Sequence, residues 1–168
     1  MSMRYGCSVK IGLMKIVLSC CLAFLLAFVM VTGFLIFTRA ATSENQSVLS
    51  PVTALFDAMS KRDAVAIKKP LLPGGSLVLM RDGKPVQMTF EDFATRVAKP
   101  GTTRIEERIH NPLVRIDHDL AVVWAPFEFL QDGKVDHCGT DLFNLVRTNG
   151  RWLIASIADT GRKKCPIR

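Results

Sequence analysis

The sequence has little of what usually announces a chemistry. It holds one Tyr, two Trp and three His. It has no glycine-rich phosphate loop or dinucleotide fingerprint, and no Ser, His and Asp in the order of a hydrolase triad. Cys-x-x-Cys and His-x-x-x-His spacings are missing too, so neither a metal nor a cofactor is expected. Acidic residues are absent from 1–41. A length of 168 residues excludes a large multidomain enzyme or an eightfold βα barrel. A hydrophobic content of 49% excludes a disordered chain.

The net charge of +7 first points to nucleic acid, but its distribution does not. Residues 1–41 carry +4, the tail 162–168 carries another +4, and the stretch between them is −1. A nucleic-acid footprint needs basic residues gathered on one folded face, and none is legible here. No nucleic-acid partner is expected.

Ile16 to Phe37 runs without a charge and is long enough to span a bilayer as a helix. Arg4, Lys10 and Lys15 precede it, which keeps the N-terminus inside and exports the chain beyond Phe37. The expected organisation is a cytoplasmic segment over 1–15, a signal anchor or signal peptide over 16–37, a linker over 38–50, a folded domain over 51–161 and a basic tail over 162–168. Thr38-Arg39-Ala40 loosely fits a cleavage site, whereas the length of the apolar run favours an anchor. Met14-Lys15 resembles a natural signal start, so Met1 and Met14 both stand as initiation sites. The expected place is the cell envelope: anchored in the inner membrane through 16–37, or periplasmic or secreted after cleavage. Cys138 and Cys165 are the two thiols beyond this segment, and two exported thiols make a disulfide an open alternative to two free cysteines.

The domain reads as helices first, then strands. Ser50-Pro51 looks like a helix start, and Val52, Leu55, Phe56 and Met59 repeat at helical spacing over 51–61. Asp63 caps a second helix over 64–69. Ser76 to Arg81 and Pro85 to Thr89 form a short hairpin around Asp82-Gly83. Thr89 caps a third helix over 90–98. Thr103 to Ile116 is a long strand in which Pro112 implies a bulge or an edge. Leu120–Gln131, Lys134–Arg147 and Arg151–Thr160 complete a meander turned by Asp132-Gly133 and Asn149-Gly150, both strong hairpin signals. Helices segregated to one side of an antiparallel meander make an α+β domain.

The stretches LAVVWAPFEF (120–129), DGKVDHCGTDLFNLVR (132–147) and NGRWLIASIADT (149–160), behind three helices, resemble the nuclear transport factor 2-like superfamily. The similarity is to its small bacterial lumazine-binding-like and polyketide-cyclase-like (SnoaL-like) members. That resemblance implies a cone-shaped fold, a pocket between sheet and helices, and frequent dimers. It implies no single chemistry, because isomerases, dehydratases, cyclases and binding domains share the fold.

With simple two-residue turns, Glu128 faces His137, Trp124 faces Asp141, Val122 faces Phe143, and Phe143 faces Ser156. Trp124, Glu128, His137, Asp141, Phe143 and Trp152 then share one face, joined by His110. The other face carries Val123, Phe127, Phe129, Cys138, Leu142, Leu153 and Ile157, and could seat a second copy of the chain. On the first face, Trp124, Glu128, His110, Phe143 and Trp152 are the candidate ligand contacts. Asp141 as a base and His137 as a hydrogen-bond donor are the candidate catalytic pair, and Gly139 leaves room between them. A plainer alternative makes Glu128 and His137 a rim pair and has Asp141 accept from the Trp124 indole. The two expected functions are a tethered domain binding a small apolar or aromatic molecule or a partner, and a small cofactor-free enzyme of proton transfer. The first is favoured, because the deep positions on this register are Phe143, Leu145 and Ile154.

Overall fold

A computed structural model describes residues 43–165. The expected segments 1–15 and 16–37 lie outside the described residues. Among the described residues no helix is long and apolar enough to cross a membrane.

The first helix, α1, is helical over 43–60. It therefore includes residues 43–50, which were expected to be linker. Val48 is the reason: with Val52, Leu55 and Met59 it continues one stripe at helical spacing, and all four are buried. Pro51 thus sits inside the helix rather than at its start. It gives up one backbone hydrogen bond there, a loss offset by the burial of that stripe. The second helix, α2, covers Ala64–Lys68, and the Asp63 carboxylate accepts from the amides of Val65 and Ala66. The third, α3, covers Phe90–Val97, where the Thr89 hydroxyl accepts from the Asp92 amide.

The strands are β1 Leu71–Arg81, β2 Lys84–Thr89, β3 Ile105–Ile109, β4 Leu113–Asp117, β5 Leu120–Gln131, β6 Lys134–Thr148 and β7 Arg151–Arg162. They form one sheet in the order β2-β1-β7-β6-β5-β3, with β4 also on β5. The long strand expected over 103–116 is two strands. His110-Asn111-Pro112 separates them, with Asn111 at φ 44°, and both pair with β5. β1 pairs parallel with β7, which brings the β1–β2 hairpin onto the meander. At Asp132-Gly133 and Asn149-Gly150 both residues have positive φ, the geometry that suits a two-residue hairpin.

The simple hairpin register fails at two places. Gln131 pairs with Lys134 and Leu130 with Val135, but Phe129 pairs with His137, so Asp136 is an extra residue in β6. Beyond this bulge Glu128 faces Cys138, Trp124 faces Leu142, and Asp141 faces Ala125. In β7, Leu145 pairs with Ile154 and Asn144 with Ser156, so Ala155 is a second extra residue and Phe143 faces Ile157. A one-residue slip exchanges the faces of a strand. Val123, Phe127, Phe129 and Ile157, expected on the second face, therefore turn inward with Asp141 and Phe143. Trp124 and Glu128 turn outward.

Candidate functional site

The inner sheet face is filled at one end and open at the other. Leu145, Ile154 and Trp152 belong to a core with Val48 and Val52 of α1. Further along the same face lies a cavity of about 160 Å³. Phe56 and Met59 of α1 and Phe93 and Val97 of α3 close it on one side, and Phe127, Phe129 and Phe143 of the sheet on the other. The ring centroids of Phe56 and Phe143 are 6.0 Å apart, edge to face. A dry apolar cavity of about 150 Å³ holds a benzene, so this one fits a single ring-sized group.

Four ionisable side chains close the open end. Arg81, the last residue of β1, reaches under β7 and donates from Nη1 and Nη2 to the two carboxylate oxygens of Asp159, at 2.5 and 2.7 Å. Residue 161, paired with Arg81, is glycine, and a Cβ there would stand 2.8 Å from Arg81 Nη1 in this arrangement. Asp159 is buried, and the hydrogen bond to its carboxylate, opposed by partial burial, raises the Arg81 pKa.

The second pair is Asp141 of β6 with Glu107 of β3. Asp141 is 3% exposed, and no donor reaches its Oδ2. The group that does bond Asp141 is the Glu107 carboxyl, itself an acceptor when ionised, so a proton lies between them. Asp141 is the member that holds it. Burial raises its pKa well above the ordinary carboxylate range, and the Glu107 charge and hydrogen bond push in the same direction. Burial also pushes Glu107 up to about 7, although it accepts the bond from Asp141. Glu107 as a residue keeps some open surface, because it also borders a surface depression beside Asp57 and Ser60. Its surroundings are otherwise the cavity wall, and that wall sets its titration. The two carboxyls titrate as a unit.

Of the residues expected in the site, Asp141, His137 and Phe143 line the cavity. His137 stacks on Phe129 with centroids 4.9 Å apart, and its Nδ1 is 2.9 Å from Asp136, the bulge residue. Its hydrogen bond therefore goes to Asp136 and not to Asp141. Gly139 leaves no open space between them, because the Phe127 ring lies 2.8 Å from where a Cβ would be. Trp152 is buried in the filled end, under the Arg147 guanidinium at 4.9 Å, and does not line the cavity. Trp124 is 52% exposed on the outer face beside Leu113, so its indole does not serve Asp141. His110 and Glu128 meet at 3.2 Å, away from the cavity. Cys138 and Cys165 form a disulfide, with Cα atoms 5.8 Å apart. It fastens the basic tail to β6, and Lys163 adds an ion pair with Asp136 at 2.8 Å. Among the described residues no cluster of His, Cys, Asp and Glu is arranged to hold a metal.

Glu107, Arg81 and Asp159 were not singled out from the sequence. Each carried a signal, since each occupies an inward position in an alternating strand: Glu107 between Ile105 and Ile109, Arg81 after Leu77 and Leu79, Asp159 after Ile157. What joins them to Asp141 is the pairing of β3 with β5 and the parallel contact of β1 with β7.

A family described as "Putative lumazine-binding" matches residues 43–158, more than half of the chain. The chain belongs to this family. No curated protein matches it. Among solved structures it is similar to a nuclear transport factor 2-like protein of unknown function from Silicibacter pomeroyi, at 18% identity and a TM-score of 0.59, covering 73% of this chain and 98% of that one. It is also similar to a protein of unknown function from Mycobacterium tuberculosis, at 14% identity and a TM-score of 0.63, covering 74% and 75%. A "putative dehydratase" of the same superfamily from Streptomyces avermitilis matches at 17% identity and a TM-score of 0.59, covering 73% and 98%. At these identities the likeness is of fold, and the lumazine-binding-like domain shares its helices-then-sheet α+β architecture with them.

Proposed function

We propose that the domain binds one small, mostly apolar molecule in the cavity, with the polar end of that molecule at Asp141 and Glu107. The observation that carries this is the Asp141 carboxyl: buried, with Oδ2 lacking a donor, in a cavity walled by phenylalanines. A buried polar atom without a partner costs about 1–3 kcal/mol, and a ligand donor supplies what is missing. Apolar walls with a few convergent polar groups are the usual make-up of a ligand site. The test is the methyl resonance of Met59, which faces the cavity. It should shift on titration with benzyl alcohol, while the exposed Val65 methyls stay still. An unmoved Met59 rejects the reading.

A second reading, proton transfer, is favoured by the Glu107 pKa near 7 next to a carboxyl that stays protonated, the poise a general base and acid need at neutral pH. In it Glu107 accepts the proton, and the Asp141 O–H, released from Glu107 as that carboxylate is protonated, turns to donate to the developing oxyanion. Deuterium exchange at the α-carbon of cyclohexanone, faster with the wild type than with Asp141→Asn, checks it. Equal rates reject it.

The domain works outside the cytoplasm, carried there by residues 16–37. The disulfide supports this, since such bonds persist in oxidising compartments. A C-terminal reporter fusion active only in the cytoplasm would refute it.

A further inference from the structure

We infer that the ligand of this cavity is a small organic cation: a ring-sized amine whose ammonium docks against the Asp141 and Glu107 pair from the cavity side. The inference rests on the binding reading above and adds the charge of the ligand. It comes from the charges that line the cavity. Three carboxyls face it, those of Glu107, Asp141 and Asp159, against one guanidinium. That guanidinium is committed. Both Arg81 terminal nitrogens are on Asp159, and Nη1 also donates to the Met80 carbonyl at 2.9 Å. The remaining titratable lining group, His137, is hydrogen-bonded to Asp136. Glu107 and Asp141 thus feel the Arg81 charge only from a distance, and among the described residues no cation is hydrogen-bonded to either.

The walls point the same way. Phe56, Phe93, Phe127, Phe129 and Phe143 all line the cavity, and aromatic faces attract a desolvated cation. A neutral hydroxyl would give the unpartnered Asp141 oxygen a donor but would leave the Glu107 charge uncompensated. An ammonium gives both carboxyls donors and cancels that charge. A metal ion is the poorer fit, because no three candidate ligands among the described residues are grouped to hold one. The size of the cavity limits the ligand to one ring with a short amine arm.

The test compares benzylamine with benzyl alcohol, which differ by the charged group, by calorimetry on the full chain in lipid nanodiscs. Empty nanodiscs serve as blanks, and the pH is mildly alkaline with the amine still protonated. The expected result is benzylamine binding at least about ten-fold tighter than the alcohol. That preference should disappear in Glu107→Gln and persist in Trp124→Ala. Benzyl alcohol binding as tightly as the amine overturns the cation and leaves the binding reading standing. An amine preference that survives in Glu107→Gln also overturns it. Binding of neither probe removes both readings.

Discussion

One face of one sheet behaves differently at its two ends. At the Leu145, Ile154 and Trp152 end, the buried inward side chains join one apolar core with Val48 and Val52 of α1. At the Asp141, Glu107 and Asp159 end, the same strands turn ionisable groups inward, and the helices leave a cavity of about 160 Å³. Among the described residues the filled end leaves no buried side-chain polar atom without a hydrogen-bond partner. The open end leaves one at Asp141 Oδ2, only a few residues along β6 from Leu145. Departures of this kind, confined to one region of an otherwise consistent fold, are expected where function has shaped the sequence. The filled end holds the open end in shape.

The sharpest way to break this contrast is to hollow out the filled end. Leu145 is fully buried, and Leu145→Ala should lower the unfolding free energy by about 3–4 kcal/mol in urea titrations, the usual cost of an unrelaxed core cavity. Asp141→Asn at the open end should change it by less than about 1 kcal/mol, since the proton already neutralises that carboxyl. A reversed order would mean that the two ends do not divide the labour as described.

Next in size is the tail. Cys138 and Cys165 enclose a sequence separation of 27, and opening that loop by Cys165→Ser should cost about 3.5 kcal/mol on the loop-entropy view. Ligand binding should be retained, because neither cysteine lines the cavity. Loss of binding without loss of stability would tie the tail to the site.

The pH dependence has a definite sign. Glu107 titrates higher in the folded domain, at about 7, than its ordinary 4.5, and Asp141 is likewise raised well above the ordinary carboxylate range. Protonation therefore favours the folded state. This contribution is complete below the ordinary carboxylate range and is lost as pH rises through about 7. Asp136 works in the opposite sense, since Lys163 and then His137 hold its pKa low, and its contribution is lost only in acid. The melting temperature should fall between about pH 5.5 and about pH 8, and Glu107→Gln should flatten that fall. A wild-type profile that rises over this interval would exclude a shared proton.

The smallest expected effect lies on the outer face. Trp124 is half exposed, so Trp124→Ala should cost less than about 1 kcal/mol, far below what a core tryptophan would.

That last value shows where the sequence stops being legible. The strands from Leu120 onward, their turns, the caps at Asp63 and Thr89 and the α+β class come from local patterns, because hairpin turns and helix caps are written within a few residues. The faces do not, because one extra residue at Asp136 and another at Ala155 each shift the pairing and leave no local mark in composition. Asp141, His137 and Phe143 keep their shared face, since they lie on one strand beyond the first bulge. Trp124 and Glu128 lose it, because their face depends on register across that bulge. Glu107 and Arg81 reach Asp141 and Asp159 through strand contacts distant in sequence, above all the parallel β1–β7 pairing, which no hairpin rule supplies.

The central claim is that Asp141 holds a proton against Glu107 in the folded domain at neutral pH. Infrared difference spectroscopy reads it directly from the carbonyl stretch of a protonated carboxyl. The wild type should show that band at neutral pH, and Asp141→Asn should lose it. A wild-type spectrum without the band, or a band unchanged in Asp141→Asn, would contradict the account.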